Sequence, residues 1–314
     1  MKDTIQELAS TKDTTTATDT ISNLQGKSWL KKIIEAAKRR MVFAQFAYET
    51  DLPKGTKDLA VPIYSSNITD WVAQSGATGE GVERTMTPVD NLTTVTFTPT
   101  TYRYGCAISK DVVRTSQVDV VKHAREQLTY YAAYSVESGI VSALDGASNP
   151  NEVHCGGGNT ADSGDVLDPD AIAEGARKLK ANSWFPEPNR PFVLIIPAVA
   201  EEALMKDSQF VNASEYGSNE IVLNGEIGKY LGIRVMVSEF CTSKTDSDSE
   251  FTTDGHHCYL FKSQVAYGIA WGEKPTLDYE FNKLESEHRV YLDLCYKADT
   301  LQESSLCLIY AADK

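Results

Sequence analysis

The chain has 314 residues, 30 of them basic and 44 acidic, for a formal net charge of -14. That length allows one large or two modest domains with real cores, and the acidic balance argues against a surface that grips nucleic acid through counterion release. Hydrophobic content is 41%, with no apolar run near the ~20 residues a spanning helix needs, so the expectation is a soluble chain with no place in a membrane.

The opening MKDTIQELASTKDTTTATDT lacks the apolar centre of a signal peptide. Residues 1 to 27, rich in Thr, Asp and Ser, read as a flexible arm. From Ser28 to Glu49 a helix is expected, with Leu30, Ile33, Ile34, Ala37, Met41, Ala44 and Tyr48 as its apolar stripe. Lys31, Lys32, Lys38, Arg39 and Arg40 give that helix a basic cluster, a contact for an acidic partner or nucleic acid if it is more than a solvated face.

Between Asp51 and Ile108 strand character lies at both ends, in Leu59 to Tyr64 and in Thr93 to Ile108, where Val95 and Phe97 alternate with threonines. Gly76, Gly79 and Gly81 lie between them, which predicts a long two-stranded excursion with a glycine-rich end. Those glycines have the wrong spacing for a phosphate loop, and no GK[ST] follows. Next comes the breaker-free run Gln117 to Asp145. Val121, Ala124, Leu128, Ala132, Ser135, Gly139 and Ala143 recur in steps of three and four, one stripe of a helix. Ser116 reads as its N-cap, while Gly146 and Pro150 stop it. About 29 residues make a rod of roughly 40 Å, long enough to serve as a spine under a sheet.

After the loop His154 to Asn159, Asp168-Pro169 opens a helix through about Ala181, with Asp as N-cap and Pro at the first helical position. Pro191 to Ile196 fits a strand buried on both faces. A helix from Pro197 to about Lys206 and a strand from Ile233 to Val237 complete a small α/β domain. Beyond the polar loop Thr242 to Gly255, strands are expected at Cys258 to Phe261, Val265 to Trp271, Thr276 to Phe281, His288 to Tyr296 and Leu306 to Ala311. Val290, Leu292, Leu294 and Tyr296 alternate with polar or mixed neighbours, so one face of that sheet needs a cover, and the spine helix is the obvious one.

No constellation for catalysis emerges. His154, Cys155, His256, His257 and Cys258 are the best zinc candidates by ligand type, but their spacing matches no finger or ribbon. The six cysteines form no CxxC pair and suit free thiols in a reducing compartment. Glu201 and Glu202 are adjacent on a helix and do not converge, and no GxSxG elbow is present. No catalytic residue, metal site or cofactor is expected.

The run FVLIIPAVAEEALMKDSQFVNASEYGSNEIVLNGEIGKYLGIRVMVSEF, Phe192 to Phe240, resembles the tailed-phage major capsid protein family, whose HK97-like shell fold is shared by encapsulin nanocompartments. The phrase Ser109 to Ser116 before the spine is also typical of it, and the order of elements along the chain agrees. The resemblance implies an α+β capsid fold: an N-terminal arm (1–27) and helix (28–50), and an extended E-loop (51–108). It also implies a peripheral domain with the spine (109–159), an axial domain (160–257), and return strands completing the peripheral domain (258–314). It further implies self-assembly as pentamers and hexamers into an icosahedral shell around packaged double-stranded DNA, bound without sequence specificity. The virion capsid is then its place, after synthesis in the host cytoplasm, and a portal, decoration proteins and a separate scaffold protein are its partners. Barely 27 residues precede the first helix, where many relatives carry a large scaffolding extension. Ile68, Trp71, Glu80, Val82, Glu83 and Arg84 are the expected inter-subunit contacts, and the basic cluster is the expected inner-surface patch. The alternatives are an encapsulin-type compartment with protein cargo and, from another class, a soluble zinc-dependent enzyme built on the His/Cys set.

Overall fold

A computed structural model describes residues 39, 41–64, 92–116, 118–148, 150–206, 226–245 and 248–313. In chain order its strands are β1 (Tyr48–Asp51), β2 (Leu59–Tyr64), β3 (Leu92–Phe97), β4 (Thr100–Ser109), β5 (Asn151–His154), β6 (Phe192–Ile196) and β7 (Glu226–Tyr230). They continue with β8 (Ile233–Val237), β9 (Ser243–Lys244), β10 (Gly255–Lys262), β11 (Tyr267–Asn282), β12 (Glu287–Thr300) and β13 (Leu306–Ala312). Four α-helices of the described residues are α1 (Lys110–Thr115), α2 (Val120–Asp145), α3 (Pro169–Ala181) and α4 (Ala198–Lys206).

A four-stranded sheet runs β1-β11-β12-β4, and α2 lies across one of its faces. The alternation in β12 accounts for this: Val290, Leu292, Leu294 and Tyr296 are all at most 4% exposed and meet Leu128, Ala132, Val136 and Ile140 of the helix. A seven-stranded sheet follows the order β5-β13-β10-β6-β8-β7, with β9 paired to β10. Its one face packs on the C-terminal half of α2, through Tyr259, Phe261 and Tyr310, and its other face on α3 and α4, through Leu194, Leu260 and Ile309. Burial on both faces is why β6 and β13 read as unbroken apolar runs. Asp168 caps α3 by accepting from Ala171 N at 2.7 Å, with Pro169 at the first helical position, as its sequence predicts.

Five expectations need correction. The helix expected over Ser28 to Glu49 lies outside the described residues for most of its length, and its described end is not helical: Ala44–Phe46 form a 3-10 turn and β1 follows, parallel to β11 with Tyr48 opposite Gly268. Val42, Phe43, Phe46 and Ala47 are the buried side chains there, so pairing to the sheet edge overrides local helix preference. Ser116 does not cap the spine. It ends α1, and Asp119 caps α2 by accepting from Lys122 N at 2.9 Å. The buried stripe of α2 is accordingly Leu128, Ala132, Val136, Ile140, Val141 and Leu144, rotated from the expected one.

The expected strand Thr93 to Ile108 divides at Thr98-Pro99, since proline has no N–H for a ladder; β3 pairs with β2 in the ribbon, whereas β4 joins the four-stranded sheet. The two strands expected over 265–281 are one, bulged between Trp271 and Thr276 around Gly272 and Pro275. Finally, β10 and β13 do not complete the spine's sheet. They pair with β6 and β5 in the seven-stranded one, so of the return strands only β11 and β12 belong to the sheet of β4.

Candidate assembly surface

The four-stranded sheet is wider than the single helix that covers it. In register, Tyr104 faces Leu292, Cys106 faces Val290 and Ile108 faces His288, so the even-numbered residues of β4 look toward α2. Ile108 is buried against Val112 and Ala124, but the helix does not close over Tyr104. A groove of about 510 Å³ remains, floored by Tyr104, Cys106 and Ile108 and walled by Ala124, Leu128 and Tyr131 of α2. Tyr131 is 54% exposed and Tyr104 38%. The groove runs beside the sheet's edge, since β4 ends the strand order among the described residues.

The other margin is open as well. Leu277 and Tyr279 of β11 sit opposite Leu292 and Val290 and therefore share the helix-side face, yet they are 42% and 46% exposed. Arg125 of α2 reaches out over the Tyr279 ring at 5.0 Å, a cation–π contact that covers part of it. Asp278, Glu280 and Asp293, on the opposite face, are charged, so exposure there needs no cover. Apolar side chains thus line both margins of the helix-side face, and among the described residues they stay partly exposed.

The model for the phage capsid protein family matches residues 92–282, more than half of the chain. The chain belongs to the phage capsid protein family. It is a major capsid protein, a structural component of an icosahedral virion shell and not an enzyme. Solved capsid structures share its HK97-like fold at low sequence identity. The capsid of cyanophage P-SCSP1u matches with TM-score 0.71 at 14% identity, covering 94% of this chain and 95% of that one. The cyanophage Pam1 capsid matches with TM-score 0.70 at 14% identity, over 93% and 98%. Mycobacterium phage Che8 matches with TM-score 0.66 at 16% identity, over 90% and 96%. No curated protein matches.

The capsid protein's margins were not legible as such, although Tyr102-Arg-Tyr104 and Leu277-Asp-Tyr279 carry a signal, the alternation of large apolar residues in a strand with no second helix to cover them. The expected contacts Ile68, Trp71, Glu80, Val82, Glu83 and Arg84 lie outside the described residues, as do Lys31, Lys32, Lys38 and Arg40. Arg39 alone of the basic cluster is described. Its backbone N donates to Tyr130 Oη at 3.1 Å, and its guanidinium lies 5.6 Å from the Phe240 ring centroid and 5.8 Å from that of Tyr134, so it anchors the entering chain to α2.

The zinc candidates are each engaged in other contacts. His154 stacks on Tyr310 at 4.7 Å, His256 pairs with Asp313, and His257 Nδ1 bonds Asp145 at 2.8 Å. Burial pushes the Cys155 thiol up to about 12 and Cys258 well above its usual range, so neither is a ready thiolate ligand. Among the described residues no three His, Cys, Asp or Glu side chains come together to hold a metal. The polar cluster that does form is structural. Asp145, the last residue of α2, accepts from His257, from Tyr259 Oη at 2.7 Å and from Thr242 Oγ1 at 2.5 Å, which ties the end of the spine to the seven-stranded sheet.

Proposed function

We propose that this capsid protein tiles as pentamers and hexamers into a shell around packaged double-stranded DNA, held without sequence specificity. The observation that carries the reading is the uncovered apolar margin on both sides of α2. Tyr104, Tyr131, Leu277 and Tyr279 flank the core yet stay 38–54% exposed among the described residues, and a shell of copies supplies further cover. The four-stranded sheet with its spine is the peripheral domain in this reading, and the seven-stranded sheet with α3 and α4 is the axial domain, now including β10 and β13. The ribbon begun by β2 and β3 is the E-loop, which lies on a neighbour and brings Ile68, Trp71 and Val82 under cover, with Glu80, Glu83 and Arg84 pairing at the rim. Lys31, Lys32, Lys38, Arg39 and Arg40 form a local basic patch on an otherwise acidic inner wall. A separate scaffold protein, a portal and decoration proteins complete the particle, and the chain is made in the host cytoplasm.

Sedimentation of the purified chain at micromolar concentration, alone and with the scaffold, tests this. Capsomers or closed shells are expected, with nuclease-protected DNA in particles from infected cells. A chain that stays monomeric under all these conditions contradicts the tiling, and shells filled with protein instead of DNA favour the compartment alternative.

A further inference from the structure

Leu284, in the turn between β11 and β12, is the most exposed large apolar side chain among the described residues, at 96%. It is held in that position. Asn282 Oδ1 accepts from Leu284 N at 3.0 Å, and the Asn282 amide donates to Glu285 Oε2 at 3.3 Å. Arg289 pairs with both Glu285 and Glu287, and the Ser286 carbonyl accepts from Lys110 N at 2.9 Å, which ties the turn to the start of α1. Ser286 itself takes φ of 52°, a left-handed conformation that its bonded surroundings maintain. A fixed turn that presents leucine to water is preorganised for a contact, because its ordering cost is met before any partner arrives.

The same chain carries an apolar hollow of about 510 Å³ between β4 and α2. Knob and hollow do not meet within one copy, since Leu284 stands 96% exposed. Val290, the register partner of Cys106 in the groove floor, is four residues from Ser286, and four residues of strand span about 13 Å. Both nonetheless lie at one end of the sheet, since α1 contributes Val112 to the groove and Lys110 to the turn. Two different patches that fit each other make a heterologous contact, and copies related by one either close a ring or run on as a filament. In a protein that acts as a closed shell, a ring is the geometry available.

We propose that Leu284 of one copy seats in the groove of the next, against Ile108 and Tyr104 of β4 and Leu128 and Tyr131 of α2, and that copies joined this way surround a common axis. The contact rests on the shell reading given above.

The test places the photo-cross-linking residue p-benzoylphenylalanine at position 284 and assembles the full chain from isotopically mixed copies. Cross-links from position 284 to peptides within 104–131 of another copy are expected. Alongside, Leu284→Asp should raise the concentration needed for assembly by about tenfold or more, while Leu284→Met stays within about twofold of the parent. Position 284 touches no core, so neither variant endangers the fold. Cross-links that map elsewhere or only within one copy overturn the proposal, as does Leu284→Asp assembling like the parent. If the unsubstituted chain forms no shell, the shell reading itself fails and this contact falls with it; if it forms shells without the cross-link, only the contact fails.

Discussion

Substituting Gly139 by alanine separates the tertiary role of the spine from its helix preference. In an ordinary helix interior Gly→Ala stabilises by ~1 kcal/mol. Here a Cβ at position 139 would stand 2.8 Å from Tyr296 Oη and 3.0 Å from Tyr296 Cε2. The ring cannot retreat freely, because it is 4% exposed, its hydroxyl donates to the Ser135 carbonyl at 2.5 Å, and the Tyr102 and Trp271 rings lie 5.2 and 5.9 Å away. Overpacking of this kind costs about 1–3 kcal/mol, and a strained or broken hydrogen bond about 0.5–1.5 kcal/mol more. After the helix gain is subtracted, Gly139→Ala should destabilise by about 0.5–3.5 kcal/mol. Thermal unfolding of unassembled subunits should show it, at about 2–4 °C per kcal/mol for a domain of 150–250 residues. In a Tyr296→Phe background the Oη contact and its bond are gone, so the penalty should shrink. A Gly139→Ala subunit that melts higher than the parent would refute the packing of α2 on β12 described here.

Asp145→Ala should cost about 3–5 kcal/mol, since it takes the shared carboxylate from the buried His257 and Tyr259 and the half-buried Thr242; urea unfolding measures it. Burial is the largest single influence on the Asp145 carboxyl and pushes it up, but the bonds from His257, Thr242 and Tyr259 together hold it below its usual range. A carboxyl lower in the folded state stabilises fully above about pH 4 and loses that contribution as pH falls through its folded value, so Asp145→Asn should flatten the acid limb of a stability–pH profile. Trp71→Ala should weaken assembly more than Glu83→Ala, because exposed ion pairs contribute only ~0–1 kcal/mol, and light scattering during assembly should rank the two. Purified capsomers should bind duplex DNA weakly; submicromolar binding at physiological salt that survives neutralising Lys31, Lys32, Lys38, Arg39 and Arg40 would contradict the reading of an acidic inner wall.

Where periodicity and burial coincide, the fold was legible. Val290 to Tyr296 announced a sheet with one covered face, Phe192 to Ile196 a strand buried on both, and Asp168-Pro169 the start of α3 to the residue. What depends on long-range pairing was not. Tyr48–Asp51 is a four-residue, mostly exposed strand whose only reason to be one is the backbone of β11 beside it, and no side-chain pattern encodes that. β10 and β13 look like any apolar strands, and their place beside β6 and β5 rests on register between strands far apart in the chain, such as Tyr259 with Ile195 and Cys307 with Asn151. The assembly surface was hidden for a related reason. Tyr104 alternates with its neighbours as a core-facing strand residue would, and it stays exposed because α2 does not close over the β4 margin.

Electron microscopy of particles formed by the purified chain, with its scaffold where required, tests the central claim most directly. Closed icosahedral shells are predicted, with density from a neighbouring copy in the groove between β4 and α2 and over Leu277 and Tyr279. Shells in which both margins of α2 still face solvent would contradict the account, as would a chain that forms no closed particle.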